Sequence, residues 1–371
     1  MVINPSLVAV SKGIPSKGSH FPLISSNLAI NYQYNIGVIL ALVGIPANLF
    51  HILVLTRRNM MTSSTNIILL GIAVCDVLIL LALLEVAYGF YMLQLSIGQR
   101  GCMPPDSYFR MQLDEVTRFL SNATRSLSIW LGVALAVIRT LIVRNPMNII
   151  IGQLSSTPSG WIVLLLTALL CFPLPMLAFF EYTIQPYNDW KPPTACNGFP
   201  GNYTVTRYYK NENGWFARED VIEWELIADG LVNQFIPCVI LPLSSLLLVF
   251  ELHKMKRSGM KLSSEHSSKR ARTTKLVLFM TISFLVAVGP IGIITLLQSW
   301  LIEQPGIVQT LSFAGVIFKL IMSFNATIHF ILCFFMSNHY RETVKGMCSR
   351  KRLEFSVDQL FTVTQAKSVD N

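Results

Sequence analysis

The chain contains seven apolar segments that are each long enough to cross a lipid bilayer, and this feature limits its possible folds most. About 20 apolar residues span a bilayer as a helix. We predict spans 1 to 7, in chain order, at Tyr34–Thr56, Ile67–Leu93, Val116–Val143, Gly160–Tyr182, Leu226–Leu252, Leu276–Leu301 and Val308–Met336. The predicted fold class is therefore an all-α membrane protein, built as a seven-transmembrane helix bundle.

The composition favours one polytopic domain over a soluble protein. Only 13% of the residues are charged and 52% are hydrophobic, whereas soluble domains average about 25% charged residues. The net charge of +9 does not indicate nucleic-acid binding, because the basic residues lie at the ends of apolar segments. Residues 1–33 lack the apolar run of a cleaved secretory signal, so span 1 is expected to act as an uncleaved signal-anchor.

The distribution of Lys and Arg predicts the orientation of the chain. Most of the 29 basic residues follow spans 1, 3, 5 and 7, whereas the opposite side is rich in acidic residues. This excess places the N-terminus outside and the C-terminus inside. The predicted parts are an extracellular N-terminus at 1–33, the transmembrane domain at 34–336 and a cytoplasmic part at 337–371. The cytoplasmic part begins with an amphipathic stretch, Ser337–Met347, expected to lie along the membrane surface, and continues as a disordered tail.

The long outer loop at roughly 183–225 carries two predicted modifications. Of the seven cysteines, Cys102 and Cys196 are the two that are expected outside, where an oxidising compartment favours a disulfide. That bond would pin the loop over the span 3 side of the bundle. The sequon at Asn202 predicts glycosylation in the same loop, whereas those at Asn122 and Asn325 lie inside predicted helices and are expected to be silent.

Four polar residues are predicted at mid-membrane depth: Asn48, Asp76, Ser128 and Asn325. A charged or amide group at this depth costs a few kcal/mol unless it faces the interior of the bundle. Because hard cations prefer oxygen ligands, one interpretation is a hydrated cavity with an allosteric sodium ion. The alternative is a packed hydrogen-bond network without an ion. No other cofactor is expected.

Several short motifs follow one another in an order that covers nearly all of the chain outside its termini. They are Met61–Asn66, Ile72–Asp76, Ser128–Leu131, Ala136–Arg139, Arg144–Asn148, Asn325–His329 and Met336–Arg341, with landmark residues Trp161, Pro237 and Pro290. The ordered set resembles the rhodopsin-like G-protein-coupled receptors, and within them the nematode class-W serpentine receptors. These are similar to the FMRFamide-, myosuppressin- and sex-peptide-type neuropeptide receptors. The resemblance implies a rhodopsin-like bundle with a short amphipathic eighth helix.

Three motifs depart from the usual pattern of that family. Ile138 stands where an acidic residue normally precedes the span 3 arginine, and Val288 replaces the usual tryptophan of span 6. In span 7, the sequence His-Phe-Ile-Leu-Cys at residues 329–333 replaces the usual Asn-Pro-x-x-Tyr motif. Without its neighbouring carboxylate, Arg139 is expected to hold the inactive state less firmly, which would raise basal activity.

The resemblance also implies how the protein signals. An agonist would shift span 6 outward around a kink at Pro290 and open a cleft for a heterotrimeric G protein. The expected coupling and switch residues are Arg139, Phe284, Pro290, His329 and Cys333. Other predicted partners are arrestin at a phosphorylated tail and anionic membrane lipid at the basic run 269–272. The expected location is the plasma membrane.

The expected ligand-binding residues are Glu85, Arg125, Asp229, Gln298 and Lys319. Glu85 and Lys319 have comparable heights on neighbouring helices, which suggests an ion pair that either admits a ligand or is purely structural. The acidic, aromatic outer surface favours a cationic peptide that ends in Arg-Phe-amide, whose arginine would need Asp229. The alternative agonist is a small molecule, as in a chemosensory receptor. No catalytic motif predicts an enzyme, and no internal repeat suggests a transporter.

Overall fold

The first three spans are continuous helices that extend beyond their predicted apolar cores. The computed structural model describes residues 21–98, 102–145, 148–257, 264–301, 304–336 and 339–347. Span 1 is the helix Phe21–Leu55, span 2 is Ser64–Gly98 and span 3 is Tyr108–Arg144. Span 3 therefore begins well before the predicted Val116. Its first turn is capped by Ser107, whose Oγ accepts a hydrogen bond from the Arg110 N–H at 3.2 Å.

Proline interrupts spans 4 and 5. Span 4 consists of Thr157–Cys171 and Pro173–Phe179, after a short connecting helix Ile149–Gln153. Span 5 consists of the α-helix Glu219–Ala228, the π-helix Asp229–Phe235 and the α-helix Ile236–Arg257. Pro237 has no N–H to donate to the carbonyl of Asn233, so the preceding turn widens. The sequence did not predict this π segment.

Spans 6 and 7 are the helices Ser264–Trp300 and Pro305–Met336, and a further helix occupies residues 339–347. In the described residues, six helices are long and apolar enough to cross a membrane, and span 6 adds the shorter apolar stretch Ile282–Gln298. The predicted multi-pass helical bundle is thus confirmed. Helix 339–347 lies within the predicted amphipathic stretch that follows span 7.

The bundle exposes many large apolar side chains and buries several polar ones. Leu170 and Phe250 are 80% and 65% exposed, whereas Asn48 and Asp76 are 0% and 1% exposed. A water-soluble helical protein would bury the large apolar groups instead. This arrangement fits a lipid solvent, in which polar groups must be satisfied within the bundle.

Span 3 is the central element, because it contributes to both apolar cores. One core joins it to spans 1, 2 and 7 and to helix 339–347, through residues such as Leu131, Val54, Ile68, Cys333 and Tyr340. The other joins it to spans 5, 6 and 7, through residues such as Ile129, Leu241, Phe284 and Met322. Side chains on opposite faces of span 3 therefore contact both halves of the bundle.

A β-hairpin covers one end of the bundle, where the sequence predicted only a loop. Strand β1 is Tyr182–Trp190 and strand β2 is Val205–Glu212, paired antiparallel with Trp190 opposite Val205 and a bulge near Pro186. The predicted disulfide between Cys102 and Cys196 is present and ties the connection between the strands to the segment before span 3. We call this the hairpin end, and the opposite end, which holds the last turns of span 3, the Arg139 end.

The three sequons lie where the sequence predicted them. Asn202 is exposed in the connection between β1 and β2, whereas Asn122 and Asn325 lie within spans 3 and 7. The side chains of the basic run 269–272 and the tail from 348 onward lie outside the described residues.

Candidate functional site

The buried carboxylate of span 2 is held by a histidine of span 7. Asp76 and His329 are 1% and 3% exposed, and His329 Nδ1 lies 2.6 Å from Asp76 Oδ2. The other ring nitrogen, Nε2, lies 3.3 Å from the Asn325 amide nitrogen. A neutral ring that donates from Nδ1 and accepts at Nε2 satisfies both contacts. This pair links two helices at the centre of the bundle.

The residues predicted to bind sodium are all buried, but only Asn325 contacts this pair through a hydrogen bond within the described residues. Asn48 donates to the carbonyls of Gly44 and Ala326 at 3.0 and 2.9 Å, which fixes span 1 to span 7. The Oδ1 atoms of Asn48 and Asn325 are buried and have no hydrogen-bond partner among the described residues. Ser128 is buried as well, at 2% exposure.

The donor set is a poor fit to a sodium ion. An imidazole N–H already holds one oxygen of Asp76, the only carboxylate among the predicted ligands, and it supplies the positive hydrogen that a cation would otherwise provide. The two amide oxygens remain available as ligands. The sodium site stays a prediction, and the Asp76–His329 pair is the feature that competes with it.

Phe284 of span 6 packs against spans 7 and 3. Its ring centroid lies 5.7 Å from that of His329. On its other side, a Cβ added to Gly132 of span 3 would lie 3.2 Å from Phe284 Cε2. Glycine at 132 therefore lets the ring approach span 3 closely. The structure thus brings together two of the predicted switch residues, Phe284 and His329, and connects them to Asp76.

Arg139 and Cys333 lie toward the Arg139 end, whereas Pro290 lies beyond Phe284 on the hairpin side of span 6. Arg139 Nε is buried without a hydrogen-bond partner in the described part of the chain, which agrees with the missing acidic neighbour at Ile138. The next residue, Thr140, donates from Oγ1 to the carbonyls of Ala136 and Ser244 at 2.8 and 2.9 Å. These hydrogen bonds fix span 3 to span 5 next to Arg139, whose Nε has no partner in the described residues. Cys333 is buried in the first apolar core, and Pro290 lies within the helix of span 6.

Helix 339–347 is anchored to span 1 by a polar contact. The Tyr340 hydroxyl lies 3.0 Å from His51 Nδ1, and both side chains are 2% exposed or less. Burial raises the pKa of Tyr340, so its hydroxyl keeps its proton and can donate to the ring nitrogen. The helix after span 7 therefore carries a buried tyrosine that is held by span 1. Sequence reasoning did not single out His51 or Tyr340.

Three charged side chains form a cluster toward the hairpin end: Arg125 of span 3, Asp229 of span 5 and Lys319 of span 7. Lys319 interacts electrostatically with both others, and Arg125 interacts with Asp229. Both oxygens of Asp229 are already bonded, Oδ1 to Asn233 Nδ2 and Oδ2 to Gln234 Nε2, each at 2.9 Å. These amide donors belong to the π-helix, whose wide turn places them beside Asp229. The three charges are called the charge cluster below.

Neutral polar groups join the charge cluster to span 6, and span 6 to span 7. Gln234 Oε1 accepts from Thr295 Oγ1 at 3.3 Å, and Gln298 Nε2 donates to Ser312 Oγ at 2.8 Å. A Cβ added to Gly292 would lie 3.0 Å from Gln234 Cβ, so span 6 approaches the π-helix closely there. The predicted ligand residue Gln298 thus holds spans 6 and 7 together.

Glu85 does not pair with Lys319, and that hypothesis was wrong. Its carboxylate forms an ion pair with Arg110 of span 3, which also places its guanidinium 4.8 Å from the centroid of the Tyr88 ring. The predicted span 3, which begins at Val116, leaves Arg110 outside the helix. Because the helix is longer than predicted, Arg110 lies at the height of Glu85. Lys319 belongs to the charge cluster instead.

An ion network fixes the β-hairpin to the bundle. Lys210 Nζ of β2 lies 2.5 Å from Glu115 Oε1 and 3.1 Å from Asp114 Oδ2, both on span 3. Arg118 pairs with Glu115 and donates to the carbonyl of Ala178 at 3.1 Å. The Tyr108 and Tyr208 rings add a contact of 5.6 Å. Sequence reasoning did not single out Lys210, because the strand that positions it was not predicted.

Comparison with known proteins agrees with the architecture. The model of the family described as serpentine type 7TM GPCR chemoreceptor Srw matches residues 33–351. The chain is also similar to the G-protein coupled receptor dmsr-1 of Caenorhabditis elegans, with 26% identity over 250 residues, which is 65% of this chain. The matched region spans about half of that relative, 46% of its length.

Proposed function

Because the chain belongs to the Srw family of serpentine seven-transmembrane G-protein-coupled chemoreceptors, we propose that it is a plasma-membrane receptor for a peptide. The agonist binds at the hairpin end, and the signal reaches a heterotrimeric G protein at the Arg139 end. The observation that carries this proposal is the charge cluster of Arg125, Asp229 and Lys319, which joins three different spans. A ligand that prefers one arrangement of these spans shifts the population of the bundle toward that arrangement.

The surface around the hairpin end favours a peptide over a small neutral molecule. Trp215, Trp224 and Trp300 are 61%, 71% and 86% exposed there, and Tyr187 is 69% exposed. Exposed aromatic faces accept guanidinium and phenyl groups, and nearby carboxylates attract basic residues. An amidated peptide that ends in Arg-Phe is therefore the first agonist class to test.

A small-molecule agonist is the second candidate, favoured by the family's description as chemoreceptors. Asp229 separates the two, because a ligand arginine needs its carboxylate and a neutral odorant does not. The two amide donors leave lone pairs on Asp229 for a further donor.

The test is a second-messenger screen in cells that express the chain, with amidated Arg-Phe peptides and with neutral odorants. A saturable peptide response that is lost in Asp229→Ala, at equal surface expression, supports the peptide proposal. A response to odorants that persists in Asp229→Ala replaces it with the small-molecule alternative. Arg139→Ala serves as the coupling control.

The proposed orientation places the hairpin end outside the cell. The exposed Asn202 then meets the glycosylation machinery. Removal of N-glycans should shift the gel mobility of the expressed chain, and Asn202→Gln should abolish that shift. Glycan-free wild-type chain at the cell surface would contradict this orientation.

The partners at the Arg139 end also belong to the proposal. We assign G-protein contact to Arg139, arrestin binding to the phosphorylated tail and anionic lipid binding to the basic run 269–272. Loss of arrestin recruitment, without loss of G-protein signalling, in a chain that ends at residue 347 tests the second assignment.

A further inference from the structure

The charge cluster contains more positive than negative charge. Arg125 and Lys319 face one carboxylate, Asp229, whose two oxygens are engaged by Asn233 and Gln234. In the described part of the chain, neither cation forms an ion pair. The cluster therefore has a surplus of one positive charge inside a membrane bundle.

Neutral groups compensate little for the partial burial of the two cations. Arg125 Nη2 lies 3.4 Å from Ser121 Oγ, a long contact with a neutral group, and its Nε is buried without a partner among the described residues. The ammonium group of Lys319 makes no hydrogen bond within the described residues. A buried cation without a counter-charge is costly, so its retention suggests a group that is supplied from outside.

The other carboxylates near the hairpin end are committed elsewhere. Glu85 pairs with Arg110, and Glu115 pairs with Arg118 and Lys210. Glu225, about one turn before Asp229, interacts with Asp229, Glu181 and Arg118 rather than with the two cations of the cluster. The described chain thus offers no second anion to Arg125 and Lys319.

We propose that Arg125 and Lys319 form the binding site for a carboxylate of the agonist. This inference rests on the proposed receptor function and names the chemistry of its ligand. The planar guanidinium can hold a carboxylate through two parallel hydrogen bonds, and the lysine adds a point charge. With Asp229, a bound carboxylate makes two anions against two cations. An acidic residue of a peptide and a small organic acid both supply this group.

The direct test measures thermal unfolding of the purified receptor in detergent. The probes are 3-phenylpropionate and the neutral 3-phenylpropionamide, compared at equal ionic strength. The acid should raise the Tm of the wild type by several degrees and the amide should not. Lys319→Met should lose the acid's effect, whereas Arg218→Gln, which removes an exposed cation paired with Asp220, should keep it. Equal shifts by acid and amide, or an acid shift that persists in Lys319→Met, would overturn the proposal.

The unliganded receptor gives a second measurement that does not depend on a probe. Removal of an uncompensated, partly buried cation should leave the Tm of Lys319→Met equal to or above that of the wild type. A Tm well below the wild type would identify Lys319 as a structural residue and contradict the proposal. The same comparison of the acid and amide probes in Arg125→Gln tests the other cation of the site.

Cell assays then identify the source of the carboxylate. Amidated Arg-Phe peptides are made in pairs that differ only by Glu or Gln at one position, and small carboxylic acids are paired with their primary amides. The acidic member of the active pair should be at least about tenfold more potent, and Lys319→Met should remove that difference. Equal potency within active pairs overturns the carboxylate site but leaves the receptor function intact. Acid-specific stabilisation with no peptide response supports the site and rejects the peptide agonist.

Discussion

The carboxylate of Asp76 on span 2 and the imidazole of His329 on span 7 are joined by a hydrogen bond of 2.6 Å between Oδ2 and Nδ1. The pair lies beside Phe284 of span 6, and Gly132 of span 3 completes the packing. Four spans therefore meet around one polar contact. A displacement of any one of them therefore changes the surroundings of a buried carboxylate.

The first prediction concerns sodium. Replacement of choline chloride by sodium chloride should leave the Tm of the wild type unchanged, because His329 already holds Asp76. His329→Asn should destabilise the protein by roughly 3–5 kcal/mol, since it removes one partner of a buried pair. Sodium should restore part of that loss. His253→Asn, an exposed histidine of span 5, is the control. Strong stabilisation of the wild type by sodium would contradict this reading.

The core polar residues were predictable from the sequence because a bilayer penalises buried charge so strongly. Asp76 and Asn325 could occupy only the bundle interior, and that is where they lie. Their partners were not predictable to the same degree. The approach of His329 to Asp76 depends on the rotation of span 7 about its axis, which packing sets and composition does not.

The second prediction concerns the close approach of Phe284 to span 3. Gly132→Val should destabilise the protein by about 1–3 kcal/mol, because even the first added carbon would lie 3.2 Å from the ring. Among the described residues, Gly152→Val meets no neighbour within 4 Å of its added Cβ, and it should be nearly neutral. Thermal unfolding of both variants checks this. Equal stability of the two would show that the ring moves aside at no cost.

The third prediction concerns the pairing of Glu85. A double-mutant cycle with Glu85→Gln and Arg110→Gln should give a coupling energy of roughly 0.5–3 kcal/mol in unfolding measurements. The cycle of Glu85→Gln with Lys319→Met should be additive to within about 0.5 kcal/mol. Additive effects of Glu85 and Arg110, together with coupling between Glu85 and Lys319, would contradict this pairing and support the ion pair that helical height suggested.

Sequence reasoning missed the Glu85 partner and the hairpin for related reasons. Element ends are set by capping and tertiary contacts, so the apolar core of span 3 did not reveal that its helix begins at Tyr108. The strands of the hairpin are mostly polar and joined by a long connection, which carries no tight-turn signal. Lys210 could be assigned a partner only after its strand was known.

The fourth prediction concerns the contact between the hairpin and span 3. Lys210→Met should cost about 2 kcal/mol of local stability, because it leaves the buried Glu115 with one cation fewer. Hydrogen exchange in residues 182–190 and 205–212 should accelerate accordingly. Arg207→Met, an exposed cation on the same strand, should leave exchange unchanged. Equal hydrogen-exchange rates in Lys210→Met and Arg207→Met would show that Lys210 does not anchor the hairpin to span 3.

The most direct test of the account is agonist-stimulated nucleotide exchange on a purified heterotrimeric G protein by the purified receptor. The agonists are the paired peptide pools and the paired small acids and amides. We expect at least one pool to accelerate exchange through the wild type, and Arg139→Ala to abolish that acceleration while the protein keeps its Tm. Full stimulated exchange in a folded Arg139→Ala protein, or no stimulation of the folded wild type by any pool, would contradict the account.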